Sequence, residues 1–344
     1  MTTMTDTQDL LFELGTEELP PVALKRLSES LTTEFKAGLD NAMLEFSDFQ
    51  TFATPRRLAI IAKDCSRQQP DRNIQRRGPA VQAAFDADGN PTRAAEGFAH
   101  SCGTSVDQLD REKTEKGEWL CYSIQETGKP ASELLPGIAD KALSRLPIPK
   151  RMRWGDGEAQ FVRPVHWLLF LHGQDVVPCE LLETTAGKVS YGHRFHHPDA
   201  IPIQHASEYV SKLEDNKVIA NFSSRRDKIR EQVNQQAEIL GGKADLDDAL
   251  LDEVTALVEW PVPITAGFEE KYLDVPNEAL IYTMKKNQKY FPVLNDKGDL
   301  MNNFITIANI ESTNPDVIRD GNERVVRPRL ADAMFSGIRV AKRS

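Results

Sequence analysis

Hydrophobic and polar positions along this chain alternate between two periods, and the switches mark its elements. Asp9 to Gly15, DLLFELG, is a short apolar run that reads as a buried strand. Leu24, Leu27, Leu31, Phe35 and Leu39 follow at helical spacing and give one apolar face. Thr16 is the expected cap of that helix. Pro20 and Pro21 fit its first turn, where no intrahelical N–H is needed. Phe49 to Ala53 and Leu58 to Ala62 read as strands around the Pro55-Arg56-Arg57 turn. The order strand, helix, strand, strand predicts a mixed α/β layer.

The pattern then lapses. Gln68 to Asn90 is polar and rich in Arg, Asp, Gly and Pro, the composition of a linker or long loop. Ala94 to Cys102 predicts a short helix, and Thr114 to Ile124 a hairpin turning at Lys116-Gly117. Leu134, Leu135, Ile138, Ala142 and Leu146 share one face of a helix over 132–146, ended by Pro147 and Pro149. Phe161 to Leu171 and Val176 to Leu182 read as strands of a second sheet. Gly187 to Pro198 reads as a histidine-rich loop. Helices are expected over 207–214, 225–240 and 246–258, with Gly241-Gly242 closing the middle one. Pro261 to Phe268 is short and extended, and 277–287 is helical. Tyr290 to Leu294 and Phe304 to Ile310 flank an Asp296-Lys297-Gly298 turn. Pro315 to Phe335 reads as helix interrupted by Gly321 and Pro328. The fold class expected is α+β or mixed α/β with several domains, divided as 1–67, 68–149, 150–205, 206–311 and 312–344.

Composition narrows the class. Hydrophobic residues make up 40% and charged residues 27% of the 344, a soluble globular profile. No apolar run approaches the ~20 residues of a membrane helix. The start, MTTMTDTQDL, has neither a basic n-region nor an apolar h-region. Cys65, Cys102, Cys121 and Cys179 are widely spaced and form no C-x-x-C pair, which argues for reduced thiols and against a zinc ribbon. The cytoplasm is the expected address.

The net charge is −10, from 42 basic and 52 acidic residues. Against that background 150–171, KRMRWGDGEAQFVRPVHWLLFL, stands out. It sets Lys150, Arg151, Arg153 and Arg163 beside Trp154, Phe161, His166 and Trp167. Guanidinium forks bind phosphate and aromatic faces stack on bases, so this is a candidate nucleic-acid footprint. The alternative is a packed core with solvated arginines at strand ends. Gly192 to Pro198, GHRFHHP, holds His193, Arg194, His196 and His197. A polar loop touching phosphate or ribose, or a structural turn, fits better than a metal site, because zinc needs three or four convergent ligands. Lys285, Lys286 and Lys289 form a further basic cluster. Arg225 and Arg226 sit at a helix start, where positive charge opposes the dipole by about 0.3–1 kcal/mol. Glu17-Glu18 carries no mark of a general acid and base. No phosphate-cradling P-loop, dinucleotide fingerprint, nucleophile elbow or H-E-x-x-H helix is present. No residue is therefore assigned a catalytic or metal-binding role.

Seven blocks in order carry a resemblance: FELGTEELP (12–20), TPRRLA (54–59), KRMRWG (150–155), FVRPVHWLLFL (161–171), GHRFHHP (192–198), LVEWPVPITAGFEEKYLDVPNEALIYTMKKNQKYFPV (257–293) and NERVVRPRLADAMF (322–335). Together they resemble the beta subunit of bacterial heterotetrameric glycyl-tRNA synthetase. The resemblance implies a chain that binds glycine tRNA without doing the chemistry. The partner alpha subunit would use ATP with magnesium, a second beta subunit would complete the tetramer, and this chain would bind no cofactor. It also implies similarity to the tRNA-side modules of the phenylalanyl-tRNA synthetase beta chain. Lys150, Arg151, Arg153, Arg163, His193, Arg194, Lys285, Lys286 and Lys289 are the expected RNA contacts. The alternative role is a scaffold that docks the alpha subunit through Pro261 to Ile264 and the Tyr282, Met284, Tyr290 and Phe291 group. The family would continue after Phe335 into a His–Asp helical domain and an anticodon-binding domain. Ser336 to Ser344, SGIRVAKRS, departs from it, so a truncated or split product is expected.

Overall fold

The computed structural model describes residues 6–341, and their side chains as far as Phe335. The atypical tail from Ser336 therefore lies outside the described side chains, and its last three residues, like the first five of the chain, outside the description altogether.

The chain opens with β1 (Thr7–Thr16), α1 (Pro21–Asn41), β2 (Asp48–Thr54) and β3 (Arg57–Ser66). Then come β4 (Arg72–Ala80), α2 (Val81–Ala84), α3 (Arg93–Ser101), β5 (Asp110–Thr114), β6 (Gly117–Glu126) and α4 (Ala131–Ser144). A tract of short strands follows: β7 (Met152–Arg153), β8 (Gln160–Phe161), β9 (Val165–His172), β10 (Asp175–Val176), β11 (Glu180–Leu181), β12 (Thr184–Gly187), β13 (Val189–Tyr191) and β14 (Ala200–Pro202). The remainder is α5 (Tyr209–Asp215), α6 (Phe222–Ile239), β15 (Lys243–Ala244), α7 (Asp248–Thr255), β16 (Val262–Gly267), α8 (Asn277–Tyr282), β17 (Phe291–Leu294), β18 (Leu300–Ala308) and α9 (Pro315–Ala341).

The main sheet runs β11-β12-β9-β1-β3-β2, with β10 on the other end of β9. Both faces are covered. Leu10, Phe12 and Leu14 of β1 point to α1 and α4, where they meet Leu24, Phe35, Leu135 and Phe170. Leu11 points the other way, toward Ile201, Ile203, Tyr209 and Leu213 beside α5. A strand buried on both faces loses polar alternation, which is why DLLFELG reads as a continuous run. The stretch 161–171 belongs to this same sheet: β9 pairs antiparallel with β1, Phe12 opposite Phe170. The expected second sheet at this point is thus the second wing of the first. The second sheet of the molecule runs β15-β17-β18-β16. Its faces carry α6 and α7 on one side, through Ile229, Val233 and Leu251. On the other, α8 and α9 pack through Leu280, Val326 and Leu330. The fold is mixed α/β with several packed units, as the element order predicts.

Four local expectations are corrected. Thr16 ends β1 fully buried and bonds the Glu17 carbonyl, while α1 starts after Pro20 with no side-chain cap. Gln68 to Asn90 is no loop: β4 pairs with β6 in a three-stranded sheet, backed by α2 and α3. Every residue from Arg72 to Arg77 is exposed, so the strand has no buried face to betray it. In α9, Gly321 and Pro328 do not break the helix. Val326 and Leu330 are fully buried on either side of Pro328, and that packing overrides local propensity. The helix expected over 277–287 is α-helical only to Tyr282 and continues to Gln288 as a π-type turn, ended by Lys289 at φ 58°.

Candidate functional site

Glu13 stands in β1 on the Leu11 face, a carboxyl inside an apolar strand. It is fully buried and must be matched there. Arg57, the first residue of β3, reaches it at 3.4 Å and is also fully buried. Trp167 of β9 donates Nε1–H to Glu13 at 2.5 Å, Ser190 of β13 donates its hydroxyl at 2.6 Å, and the Tyr209 hydroxyl of α5 donates to the other oxygen. The Arg57 guanidinium continues the network to the Tyr191 carbonyl at 2.9 Å, to Thr54 at 3.1 Å and to Glu259 at 3.3 Å. Thr54 also donates to Glu259 at 3.0 Å. Burial opposes the charge on Arg57, but Glu259 and Glu13 outweigh it and hold the group above its ordinary value. Burial, then the Glu13 charge, pushes the Tyr209 phenol well above 10.

A second buried arginine closes the system. Arg225, in the first turn of α6, donates to the carbonyls of Thr255 (3.1 Å), Ile219 (2.6 Å) and Ala53 (2.8 Å). Burial pushes it down to about 9, with Glu259 acting in the opposite direction. The helix-start penalty is thus offset: Arg225 serves the carbonyl end of α7, where a cation is favourable. Arg226 is held by Asp248 at 2.7 Å and Asp252 at 2.5 Å. The network spans the β1–β3–β9 sheet and the segment leading into β16, so it ties the two large units together.

Above it lies a partly exposed rim. Glu17, at the turn after β1, accepts from His166 Nε2 at 3.0 Å and from Arg194 at 2.8 Å. Burial would raise the Glu17 carboxyl, but the bonds from His166 and Arg194 outweigh it and hold it low. Arg194 also meets Glu18 at 3.5 Å. Arg163 donates to the Glu18 and Val162 carbonyls at 3.1 and 2.9 Å. Arg56, at the β2–β3 turn, lies 5.6 Å over the Trp167 ring.

A family model described as glycyl-tRNA synthetase beta subunit matches residues 10–336. This chain belongs to that family. It is 52% identical over 326 residues to the glycine–tRNA ligase beta subunit of Chromohalobacter salexigens, covering 95% of this chain and 47% of that protein. The beta subunit of Pectobacterium atrosepticum is 52% identical over 333 residues, covering 96% and 48%. That of Hahella chejuensis is 49% identical over 329 residues, covering 95% and 48%. The chain spans about half the length of the curated relatives it matches.

Five of the blocks that carried the resemblance to the beta-subunit family converge on the network and its rim. FELGTEELP supplies Glu13, Glu17 and Glu18; TPRRLA supplies Thr54, Arg56 and Arg57; and FVRPVHWLLFL supplies Arg163, His166 and Trp167. GHRFHHP adds Arg194, and LVEWP adds Glu259. Sequence reasoning missed Glu13, Arg56, Arg57, Glu259 and Tyr209 as a site. The available signal was a charged residue inside an apolar strand, at Glu13, and another at the head of an apolar strand, at Arg57.

Of the nine expected RNA contacts of this beta-subunit-family chain, Arg163 and Arg194 meet at the rim beside Glu17 and Glu18, and His193 is not at the surface. Lys150 is exposed, Arg151 donates to the Ser144 and Gln160 carbonyls, and Arg153 pairs with exposed Glu158 at 3.0 Å. Arg163 and Arg194 belong to the rim. His193 is fully buried, with Nε2 2.6 Å from the Asn309 carbonyl oxygen. Lys285 and Lys289 are held by Asp245 at 2.6 Å and Glu253 at 3.0 Å, and Lys286 bonds the exposed Tyr282 hydroxyl. Of the aromatics in the 150–171 segment, Phe161 and Trp167 are buried and Trp154 packs against the core. Met284, Tyr290 and Phe291, expected as an apolar docking face, are core as well, leaving Tyr282 exposed. His196 accepts from the Glu311 N–H, with its ring 4.7 Å from that of His193. Among the described residues no His, Cys, Asp and Glu cluster is placed to hold a metal, and no helix is long and apolar enough to cross a membrane.

Proposed function

We propose that this chain is a tRNA-holding part of a glycine–tRNA ligase and makes or breaks no bonds itself. A partner alpha subunit would supply the ATP and glycine chemistry, in an assembly of two alpha and two beta subunits. Family membership supports the ligase role. The observation that favours RNA contact is the Lys150 to Arg153 corner. There, among the described residues, Arg151 is bonded only to carbonyls, which leave its charge uncancelled, and Arg153 has only a surface pair, which salt screens. A likeness to the tRNA-side modules of the phenylalanyl-tRNA synthetase beta chain belongs to the same reading.

The test is a salt titration of the purified chain with glycine tRNA, beside a non-cognate tRNA. The expected result is binding that weakens steeply with salt, with the slope reduced by about one unit for each of Arg151→Ala and Arg153→Ala. A folded chain that binds neither tRNA would end the reading. It would favour the scaffold role, for which exposed Tyr282 and the outward Val317, Val325 and Phe335 of α9 offer apolar surface. Copurification with the alpha subunit after RNase treatment tests that role directly.

A further inference from the structure

Among the described residues, Arg56 is the rim cation whose guanidinium has no bonded partner. Among the described residues its side chain makes no hydrogen bond and no ion pair, and its Nε is buried with no partner. The neighbouring carboxylates are committed elsewhere: Glu259 to Arg57 and Thr54, Glu17 to His166 and Arg194. Their fields still reach Arg56, but burial, together with the nearby charges of Arg57 and Arg194, works against its cation. The chain nonetheless fixes it. Trp167, which carries Arg56 on its ring, is locked by Glu13 and packs so tightly on Gly15 that a Cβ there would lie 1.9 Å from the indole. The turn that bears Arg56 is pinned to the strand-to-helix turn after β1: Thr16 N–H bonds the Arg56 carbonyl at 2.8 Å and Leu19 N–H the Pro55 carbonyl at 2.6 Å. A rigidly mounted, half-buried guanidinium with spare donors, near a second guanidinium, is the arrangement that binds a forked oxyanion.

We propose that Arg56, over the Trp167 ring, and Arg194, on Glu17 at the same rim, form a seat for a phosphate group. The phosphate comes either from the RNA backbone or from a free phosphate, and only the RNA source rests on the proposed function. Arg163 extends the cationic rim, its guanidinium held by carbonyls that leave the charge uncancelled. Glu17 is the internal competitor, because it occupies the Arg194 fork in the absence of ligand.

The experiment uses the full chain and two probes, inorganic phosphate and glycine tRNA. Arginine labelling by phenylglyoxal, mapped by mass spectrometry, reads Arg56 without mutation. Phosphate should protect Arg56 and Arg194, chloride at the same ionic strength should not, and acetate, a singly charged oxyanion, should do so only weakly. Arg56→Gln should weaken phosphate binding about tenfold, the loss of one charge-assisted pair. Glu17→Gln should strengthen it by freeing Arg194, a gain that misfolding does not produce. Equal protection by chloride or acetate, or unchanged phosphate binding in folded Arg56→Gln, would overturn the seat. The tRNA arm separates the sources. If phosphate binds through Arg56 and tRNA does not bind, the seat stands for free phosphate and the RNA role falls. If tRNA binds equally well to the wild type and to Arg56→Gln, and phosphate does not protect Arg56, the seat falls and the RNA role stands.

Discussion

Two single residues show how tightly the main sheet is set. Gly15 has no Cβ because the Trp167 indole occupies that space. Gly15→Ala should therefore displace Trp167 from Glu13 and cost about 1–3 kcal/mol of stability, as overpacking does. Urea unfolding with tryptophan emission checks both parts of this expectation. His172, at the end of β9, is buried, with Nε2 3.1 Å from the Cys65 carbonyl oxygen. Burial holds its pKa below 6.5 despite that bond. As pH falls below the unfolded value, the unfolded chain takes up a proton that the folded chain refuses, and stability drops. This contribution is fully present above about pH 7 and shrinks as pH falls through about 6.5 toward the lower folded value. Urea midpoints at about pH 7.5 and about pH 5.5 should differ for the wild type, and the difference should narrow in His172→Asn.

At the scale of elements, legibility followed burial. The apolar faces of α1 and α4 and the strands β1 to β3 were readable because their packing leaves a period in the sequence. The β4 strand was not, since none of its residues from Arg72 to Arg77 packs inward. The affiliation of β9 was also invisible, because a strand's own pattern does not name its partner, and β1 lies about 150 residues away. The β4–β6–β5 unit has a further property. Its elements pack on one another rather than on the main sheet. Its entry and exit lie side by side, with Gln69 N–H on the Lys129 carbonyl at 2.9 Å and Ala131 N–H on the Arg67 carbonyl at 2.7 Å. Replacing residues 71–127 by a short glycine-rich turn should leave the remainder folded, with the melting temperature changed by no more than about 4 °C. Calorimetry of the shortened chain is the check, and loss of its cooperative transition would show that the unit is part of the core.

At the scale of the whole molecule, the site is built from segments that only the tertiary fold brings together. The sequence singled out positive charges as residues but could not show their partners. Lys285 finds Asp245 across 40 positions and Arg194 finds Glu17 across 177. A one-dimensional reading of charge therefore overstates the free cations, and Arg56, hidden between Pro55 and Arg57, went unranked. The same long-range logic makes Arg225 a joint between the two large units, through carbonyls of β2 and of the α7 end. Arg225→Met should leave three buried carbonyls short of a donor, at about 1–3 kcal/mol each. It should also uncouple the units, so that a single melting transition separates into two by calorimetry. One broadened but single transition would mean that packing alone joins them.

The central position of β1 has a consequence for how the molecule is made. Its first neighbour, β3, ends at Ser66, but its second, β9, begins only at Val165. On a translating ribosome the interval between them is about 100 residues, or roughly 5–20 s at ordinary elongation rates. Throughout that time Leu10, Phe12 and Leu14 present an unpaired strand edge, while Glu13 waits for the tryptophan, serine and tyrosine that will bond it. The nascent chain is thus most exposed to wrong pairing and chaperone capture while the small β4–β6–β5 unit is being synthesised.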